Sequence, residues 1–463
     1  MNPVDTPLPE QLDAALRARL GDGWLRGEDV CRRHGEDSSK RWALPAAVAL
    51  PRDAGDVVAI VLACREHGVP IVARGAGTSS TGAAIPYAGG VVVAFERMAR
   101  VLDIRVDDRQ AVVQPGVLNG DLQRALAPHG LFWPPDPASA DQCTVGGNLA
   151  CNAGGPHAVK YGATRDNVLG LAAVTGTGEL IRVGSHTTKD ATGYNLAQLL
   201  VGSEGTLALI VEATLKLAPL PTRRASLRAT YADVASAGAA VARIMAQPAT
   251  PSMLEFMDAA CIRLVREVGG ADIADAGALL MVEADGDDDT LPHAVAALER
   301  AARGDGLLEL AAATDPASNE ALWAARKALS PALRTIAAGK INEDVVVPVS
   351  RLPALVAGIE ALAGEFDLPI VAFGHAGNGN LHANILFDPE DAAQSARAHA
   401  ALPKLFALTL ALGGTLSGEH GIGVAKRDFM HEAFDASTLA AMRAVKAAFD
   451  PDDILNPGKV LPP

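Results

Sequence analysis

Apolar residues recur at helical spacing between Asp53 and Gly68. Val57, Ile60, Val61 and Cys64 share one face, Asp53 offers a capping oxygen and Gly68 a stop, so the pattern predicts a capped helix. A β-branched run, Val69-Pro70-Ile71-Val72-Ala73, follows at once and reads as a strand. Val91 to Phe95, Val101 to Ile104 and Ala111 to Val113 read the same way, and Asn119 to His129, closed by Gly130, reads as a second helix. A strand-like run from Leu209 to Leu217 ends in Pro219-Leu220-Pro221. Ala-rich helical patterns begin beyond it, which predicts a domain boundary there. Helices and strands then alternate to about residue 410, with Leu279 to Glu283 and Asp344 to Val347 among the strands. The rest turns glycine-rich and ends in Asn456-Pro457-Gly458-Lys459, and no repeat of solenoid spacing interrupts the chain.

Composition narrows the class. The chain has 463 residues, 49% of them apolar or aromatic, enough for two or more packed domains. Its net charge of -14, with no stripe of Lys and Arg, argues against nucleic acid as a partner. Five scattered cysteines (Cys31, Cys64, Cys143, Cys151, Cys261) form no Cys-x-x-Cys pair, which speaks against a disulfide framework and a cysteine-ligated iron-sulfur cluster. Electrons handled by this chain would therefore leave to another carrier. The opening Met1-Asn2-Pro3-Val4-Asp5-Thr6 lacks a basic stretch followed by an apolar one, and no apolar run is long enough to cross a bilayer. The expectation is a cytoplasmic chain, with peripheral attachment to a membrane left open.

Candidate chemistry concentrates in glycine-rich segments. Arg74-Gly75-Ala76-Gly77-Thr78-Ser79-Ser80-Thr81-Gly82 follows a strand, an arrangement that aims backbone N–H groups at a phosphate. The glycine spacing and the absence of a following helix exclude the dinucleotide fingerprint, and no Gly-Lys-Ser/Thr follows to make a Walker loop. Two further clusters, Thr144-Val145-Gly146-Gly147-Asn148 with Asn152-Ala153-Gly154-Gly155, and Gly202-Ser203-Glu204-Gly205-Thr206-Leu207, suggest a long cofactor threaded between two subdomains. Near the C-terminus, Gly374-His375-Ala376-Gly377-Asn378-Gly379-Asn380-Leu381-His382 and Ser417-Gly418-Glu419-His420-Gly421 contribute three imidazoles and a carboxylate. Those side chains can ligate a divalent ion such as zinc and leave one histidine to move a proton.

Taken in order, these motifs resemble the flavin-binding domain of the vanillyl-alcohol oxidase superfamily. With the histidine motifs and the terminal Asn456-Pro457-Gly458-Lys459 they are similar to its D-lactate, glycolate and D-2-hydroxyglutarate dehydrogenase branch, over roughly residues 40 to 463. The resemblance implies an α+β fold: a FAD-binding domain of two subdomains over residues 1–220, a substrate cap over 221–410, and a segment 411–463 returning to the FAD domain. FAD pyrophosphate would lie on Arg74, Gly75, Ala76, Gly77, Thr78, Ser79 and Gly82. Pro135, Thr144, Gly146, Gly147, Asn148, Gly154, Gly205, Ile210 and Asn456 would supply the other flavin contacts. Some relatives attach FAD through a histidine in the first loop; Thr78 matches that position and cannot, so the FAD would be non-covalent. By the same resemblance His375, His382 and Glu419 would hold zinc or manganese, His420 would be the base, and Arg326, Ser330 and Asn384 would contact substrate. The reaction implied is oxidation of a D-2-hydroxy acid to the 2-oxo acid, with hydride to flavin N5 and electrons to an electron-transfer flavoprotein, a cytochrome or a quinone-linked partner. A homodimer stays open.

Two departures shape that expectation. Asn378 stands where relatives often carry aspartate, removing a carboxylate that could orient a metal-bound imidazole and arguing for lower metal affinity. Hydroxyglutarate-specific relatives add a lysine shortly before the Asp344 strand; here the position two before Asp344 is Asn342, with Lys340 two further back, which favours D-lactate or glycolate over D-2-hydroxyglutarate or D-malate unless a shifted register restores Lys340. Outside the resemblance stand two other readings, a flavin-free metallohydrolase on His375, His382 and Glu419, and a non-catalytic flavoprotein subunit.

Overall fold

Asp53 accepts the N–H of Asp56 at 2.9 Å and opens the helix Ala54–Glu66, whose Val57, Ile60, Val61 and Cys64 are all buried. The computed structural model that shows this describes residues 8–87, 89–268 and 273–463. It divides the chain into two units: Met1–Gly155 with Gly162–Leu220 and Glu419–Pro463, and Pro156–Tyr161 with Pro221–Gly418.

The first unit carries strands β1 (Trp24–Leu25), β2 (Ala47–Ala49), β3 (Ile71–Arg74), β4 (Val91–Ala94), β5 (Val101–Arg105), β6 (Gln110–Val113), β7 (Leu131–Phe132), β8 (Val168–Thr175), β9 (Leu180–Gly184), β10 (Ala208–Lys216) and β11 (Ala218–Pro219). They form two main sheets. One runs β1-β2-β4-β3, with β2, β4 and β3 parallel; the other runs β5-β6-β10-β8-β9 and is antiparallel throughout. One core cluster joins the two sheets, bringing Ile71, Val91 and Val93 together with Ala172, Val174, Leu209 and Val211; a second packs on the five-stranded sheet, and a smaller third holds Val48, Val92 and Ala94 of the four-stranded one. The C-terminal segment returns here: Leu455 bridges Ile71 in parallel, and Asn456 N–H donates to the Ile71 carbonyl at 2.7 Å.

The second unit is a seven-stranded antiparallel sheet flanked by helices. Its strands are β12 (Arg223–Tyr231), β13 (Met253–Asp258), β14 (Ala278–Gly286), β15 (Leu307–Ala313), β16 (Gly339–Val346), β17 (Ile370–His375) and β18 (Asn380–Phe387), in the order β15-β12-β14-β13-β17-β18-β16. Both units mix helix and strand, so the fold is α+β.

Several local expectations give way to the structure. The stretch after Pro221 opens as strand β12, paired on both edges with β14 and β15 and buried at all but one position from Ala225 to Tyr231. The glycine cluster at 145–151 is a helix, Val145–Cys151, capped by Thr144 Oγ1, which accepts Gly147 N–H at 3.1 Å. The glycine-rich tail holds the helix Ala436–Phe449. Pro156–Tyr161 belongs to the second unit, not to a 1–220 domain, because Lys160 pairs with Asp285 and Tyr161 Oη donates to the same carboxylate at 2.6 Å. Residues 411–418 also stay with the second unit, where Thr415 bridges Val346.

Candidate active site

In the first unit, β3 leads into the loop at Gly75, and Gly75 lies so close to Thr144 that a Cβ would run into Oγ1. The two glycine segments border a cleft of about 710 Å³, lined by Arg74, Gly75, Ala76, Gly116, Val117 and Thr144 among others. That volume, lined by apolar side chains and glycines with Arg33, His34, Glu96 and Asp121 among them, suits a nucleotide-sized part of a cofactor, so the residues fit FAD. Individual side chains are used otherwise than expected. The Arg74 guanidinium donates to the carbonyls of Glu36 at 2.6 Å and Arg33 at 3.4 Å, so it braces the loop. Asn148 is buried and bonded to Asn119 at 3.1 Å. Asn456 gives both amide N–H groups to the carbonyls of Ala83 and Glu204, at 2.9 and 2.7 Å, and its Oδ1 accepts from Lys459. Their main-chain N–H groups are engaged as well, Asn148 with the Thr144 carbonyl at 2.9 Å and Asn456 with the Ile71 carbonyl at 2.7 Å. Ile210 sits in the core around the second sheet.

Histidines of the second unit are placed by strand register. Phe373 of β17 pairs with His382 of β18, and Glu255 of β13 pairs with His375 at the end of β17. The two imidazoles lie edge to face, ring centroids 5.4 Å apart. Gly374, at φ +151°, allows the close crossing: a Cβ there would stand 2.7 Å from the Asn380 carbonyl. His375 Nδ1 is hydrogen-bonded to the Glu255 carboxylate, which leaves Nε2 as its ligand atom. The Asp344 carboxylate accepts Ser417 Oγ at 3.1 Å and Gly418 N–H at 2.7 Å, fixing the chain one residue before Glu419. One ligand atom each from His375, His382 and Glu419 lies within 4.8 Å of the others. Two imidazoles and a carboxylate at that separation are a donor set for a zinc-like ion with a coordination position open to substrate.

His420 follows Glu419, and Gly421 turns the chain at φ +85°. Asn384 is fully buried, with Nδ2 donating to the His382 carbonyl at 3.0 Å. Arg326 and Ser330 stand on the helix Pro316–Ile336, but their side chains lie outside the described residues.

Glu255, Asp344 and Glu204 carry jobs that motif reading missed. Glu255 and Glu204 are lone carboxylates in Met253-Leu254-Glu255-Phe256-Met257 and Ser203-Glu204-Gly205, and Asp344 follows Glu343 at the head of an apolar run. A charge in a buried strand demands a partner, and that was the available signal. Independently of Asn378, the His375 imidazole has a carboxylate partner from a strand 120 residues earlier.

Sequence comparison matches the profile described as "FAD linked oxidases, C-terminal domain" over residues 220–460 and that of "FAD binding domain" over residues 45–184. The chain is 38% identical to the glycolate oxidase subunit GlcD of Bacillus subtilis over 419 residues, covering 90% of this chain and 89% of the relative. It is 34% identical to a D-lactate dehydrogenase of Anaerostipes hadrus, covering 90% of each chain. Identity to a D-2-hydroxyglutarate dehydrogenase of Stutzerimonas stutzeri is 35%, covering 94% of this chain and 95% of the relative. Among solved structures, p-cresol methylhydroxylase with substrate bound superposes with a TM-score of 0.80 at 16% identity, covering 98% of this chain and 96% of that one. The 4-ethylphenol oxidase of Gulosibacter chungangensis does so with 0.79 at 20% identity, covering 99% of each. At such identities the structures speak for the fold alone. No helix among the described residues is long and apolar enough to cross a membrane.

Proposed function

Because the chain belongs to the FAD-linked oxidases that join a FAD-binding domain to a FAD-linked oxidase C-terminal domain, and is a FAD-dependent oxidoreductase, we propose that it oxidises a small D-2-hydroxy acid, D-lactate or glycolate, to the 2-oxo acid. The observation that carries the proposal is the His375, His382 and Glu419 cluster, whose donors match the chelating hydroxyl and carboxylate of such an acid held through a divalent ion. Relatives named for glycolate, D-lactate and D-2-hydroxyglutarate agree on that substrate class. Register favours the smaller acids. Asn342 of β16 stands opposite Asn384 of β18, so the position beside Asn384 carries a neutral amide where a second carboxylate calls for a cation.

Bound FAD supplies the acceptor for the C2 hydride, and a divalent ion, zinc or manganese, supplies the Lewis acid that lowers the pKa of the 2-hydroxyl. His375, orientated by Glu255, and His382 hold that ion with Glu419. His420 takes the hydroxyl proton, a role that general bases of this kind perform at roughly 100- to 10,000-fold rate gain. Arg326, Ser330 and Asn384 grip the substrate's carboxylate end. Thr78 offers no nucleophile for a flavin bond, so FAD is held without a covalent link. The electrons pass on to an external acceptor, an electron-transfer flavoprotein, a cytochrome or a quinone-linked protein.

The test is a panel of D- and L-2-hydroxy acids mixed anaerobically with the holoenzyme, scored by loss of flavin absorbance before and after metal stripping. Bleaching by D-lactate or glycolate that disappears with the metal supports the reading. Bleaching only by D-2-hydroxyglutarate replaces the substrate, and bleaching undiminished in stripped enzyme removes the metal from the reaction.

A further inference from the structure

The segment after the base is gripped by a carboxylate that the reaction does not use. We propose that Glu204 is a positioning residue for His420: its buried carboxylate locks the turn Gly421-Ile422-Gly423 and so sets the direction in which the imidazole is presented. The inference rests on His420 being the base.

Glu204 is 5% exposed and sits at φ +53°, a left-handed conformation that a non-glycine residue holds only when its surroundings demand it. Its carboxylate accepts Ile422 N–H at 2.6 Å through Oε1 and Gly423 N–H at 2.8 Å through Oε2. Two successive N–H groups aimed at one carboxyl make a nest, and each takes one of its two oxygens. Gly421 turns under the same carboxylate at φ +85°, where a Cβ would stand 2.6 Å from Oε1. Thr81 closes the segment from the other side. Its hydroxyl donates to the His420 carbonyl at 3.4 Å, and its carbonyl accepts Val424 and Ala425 N–H at 3.0 and 3.1 Å. Glu204 is itself anchored: its N–H donates to the Ala150 carbonyl at 2.8 Å, and its carbonyl accepts the Asn456 amide at 2.7 Å.

A carboxyl kept only for folding has little reason to stand in so buried a place, where an apolar residue of similar volume serves as well. The asymmetry of the contacts gives the reason. They all fall on the main chain within three residues of His420, and a base displaced by about 1 Å loses on the order of 100-fold in rate. In Glu204→Gln one of the two N–H groups faces an amide NH2 and the turn opens.

The experiment is a double-mutant cycle on holoenzyme, with flavin reduction followed by stopped flow. The substrate is whichever of D-lactate, glycolate and D-2-hydroxyglutarate bleaches wild type fastest. Glu204→Gln is expected to keep its FAD and metal, to hold KM within about twofold, and to lose roughly 10- to 100-fold in the reduction rate constant. In a His420→Ala background the same change is expected to lose nothing further, because it acts through the missing imidazole. Equal losses in both backgrounds, or a wild-type rate in the single variant, overturn the proposal. A His420→Ala enzyme that reduces flavin at the wild-type rate overturns the reading of the base and the proposal with it, which is a distinct result. If Glu204→Gln does not accumulate, Glu204→Asp, which keeps the carboxyl but falls short by a methylene, takes its place with the same two outcomes.

Discussion

Glu255→Gln isolates what the sheet contributes to the metal site. Glu255 is 1% exposed, and its carboxylate accepts from His375 Nδ1, so it selects the tautomer with Nε2 free and adds negative charge behind the ligand. Glutamine keeps the shape and an acceptor but loses the charge. A hydrogen bond to a charged group contributes about 1.5–3 kcal/mol and a neutral one about 0.5–1.5, so the change costs about 1–1.5 kcal/mol. That is roughly a tenfold weaker hold on the ion. Glu255→Ala, which removes the acceptor as well, should approach 100-fold. Zinc affinity is measured by competition with a chelating dye, and flavin absorbance in the same cuvette reports whether the FAD-binding part is intact. Because a buried amide is cheaper to desolvate than a carboxylate, the thermal midpoint of the metal-free Gln variant should not fall, which separates a metal effect from a folding defect. A Gln variant that binds zinc within twofold of wild type refutes the argument.

Acid precipitation should release FAD into the supernatant, since Thr78 cannot bond it; colour that stays with the pellet contradicts this. Chelation should abolish turnover while leaving the flavin spectrum in place, with zinc or manganese restoring activity and His382→Ala reproducing the chelated state; turnover undiminished in stripped enzyme counts against the ligand set. Burial pushes the Glu204 carboxyl from 4.5 up to about 7. Between those values the native state binds more protons than the unfolded one, so this group's contribution to stability falls as pH rises, by on the order of 3 kcal/mol in all. The melting midpoint of wild type relative to Glu204→Gln should therefore drop between pH 5 and pH 8, and a difference independent of pH contradicts it.

The sequence made the amphipathic run at Ala54–Glu66 and the β-branched run at β4 legible, the first because burial follows the helical period and the second because every residue is apolar and buried. It hid what depends on neighbours. β12 is held as a strand by its pairing with β14 and β15, both far along the chain. Pro156–Tyr161 joins the second unit through Asp285, an ion pair between residues 125 apart that no local pattern announces. The site divides in the same way. His375, His382, Glu419 and His420 stood out because several chemistry-bearing side chains in glycine-rich surroundings are a pattern in themselves. Glu255, Asp344 and Glu204 are carboxylates whose purpose appears only with the strand register or turn that brings a partner to them.

That division explains how adjacent residues can do different jobs. In an extended chain Glu419 and His420 point to opposite sides, so giving one to a metal and the other to a proton transfer requires that the backbone between fixed points be shaped with care. The fixed points are main-chain groups: Gly418 N–H on Asp344 before the pair, and Ile422 and Gly423 N–H on Glu204 after it. Between them Gly421 takes φ +85°, which a side chain resists. Gly421→Ala should thus disturb the base more than the ligand, because the strain falls next to His420 and three residues beyond the anchored Gly418. The expected variant keeps most of its zinc and loses at least tenfold in flavin reduction, on the scale of a misplaced catalytic group. Metal analysis beside stopped-flow reduction reads both quantities; a variant that loses zinc and rate in parallel shows that the two residues move as one unit and that the separate anchoring is wrong.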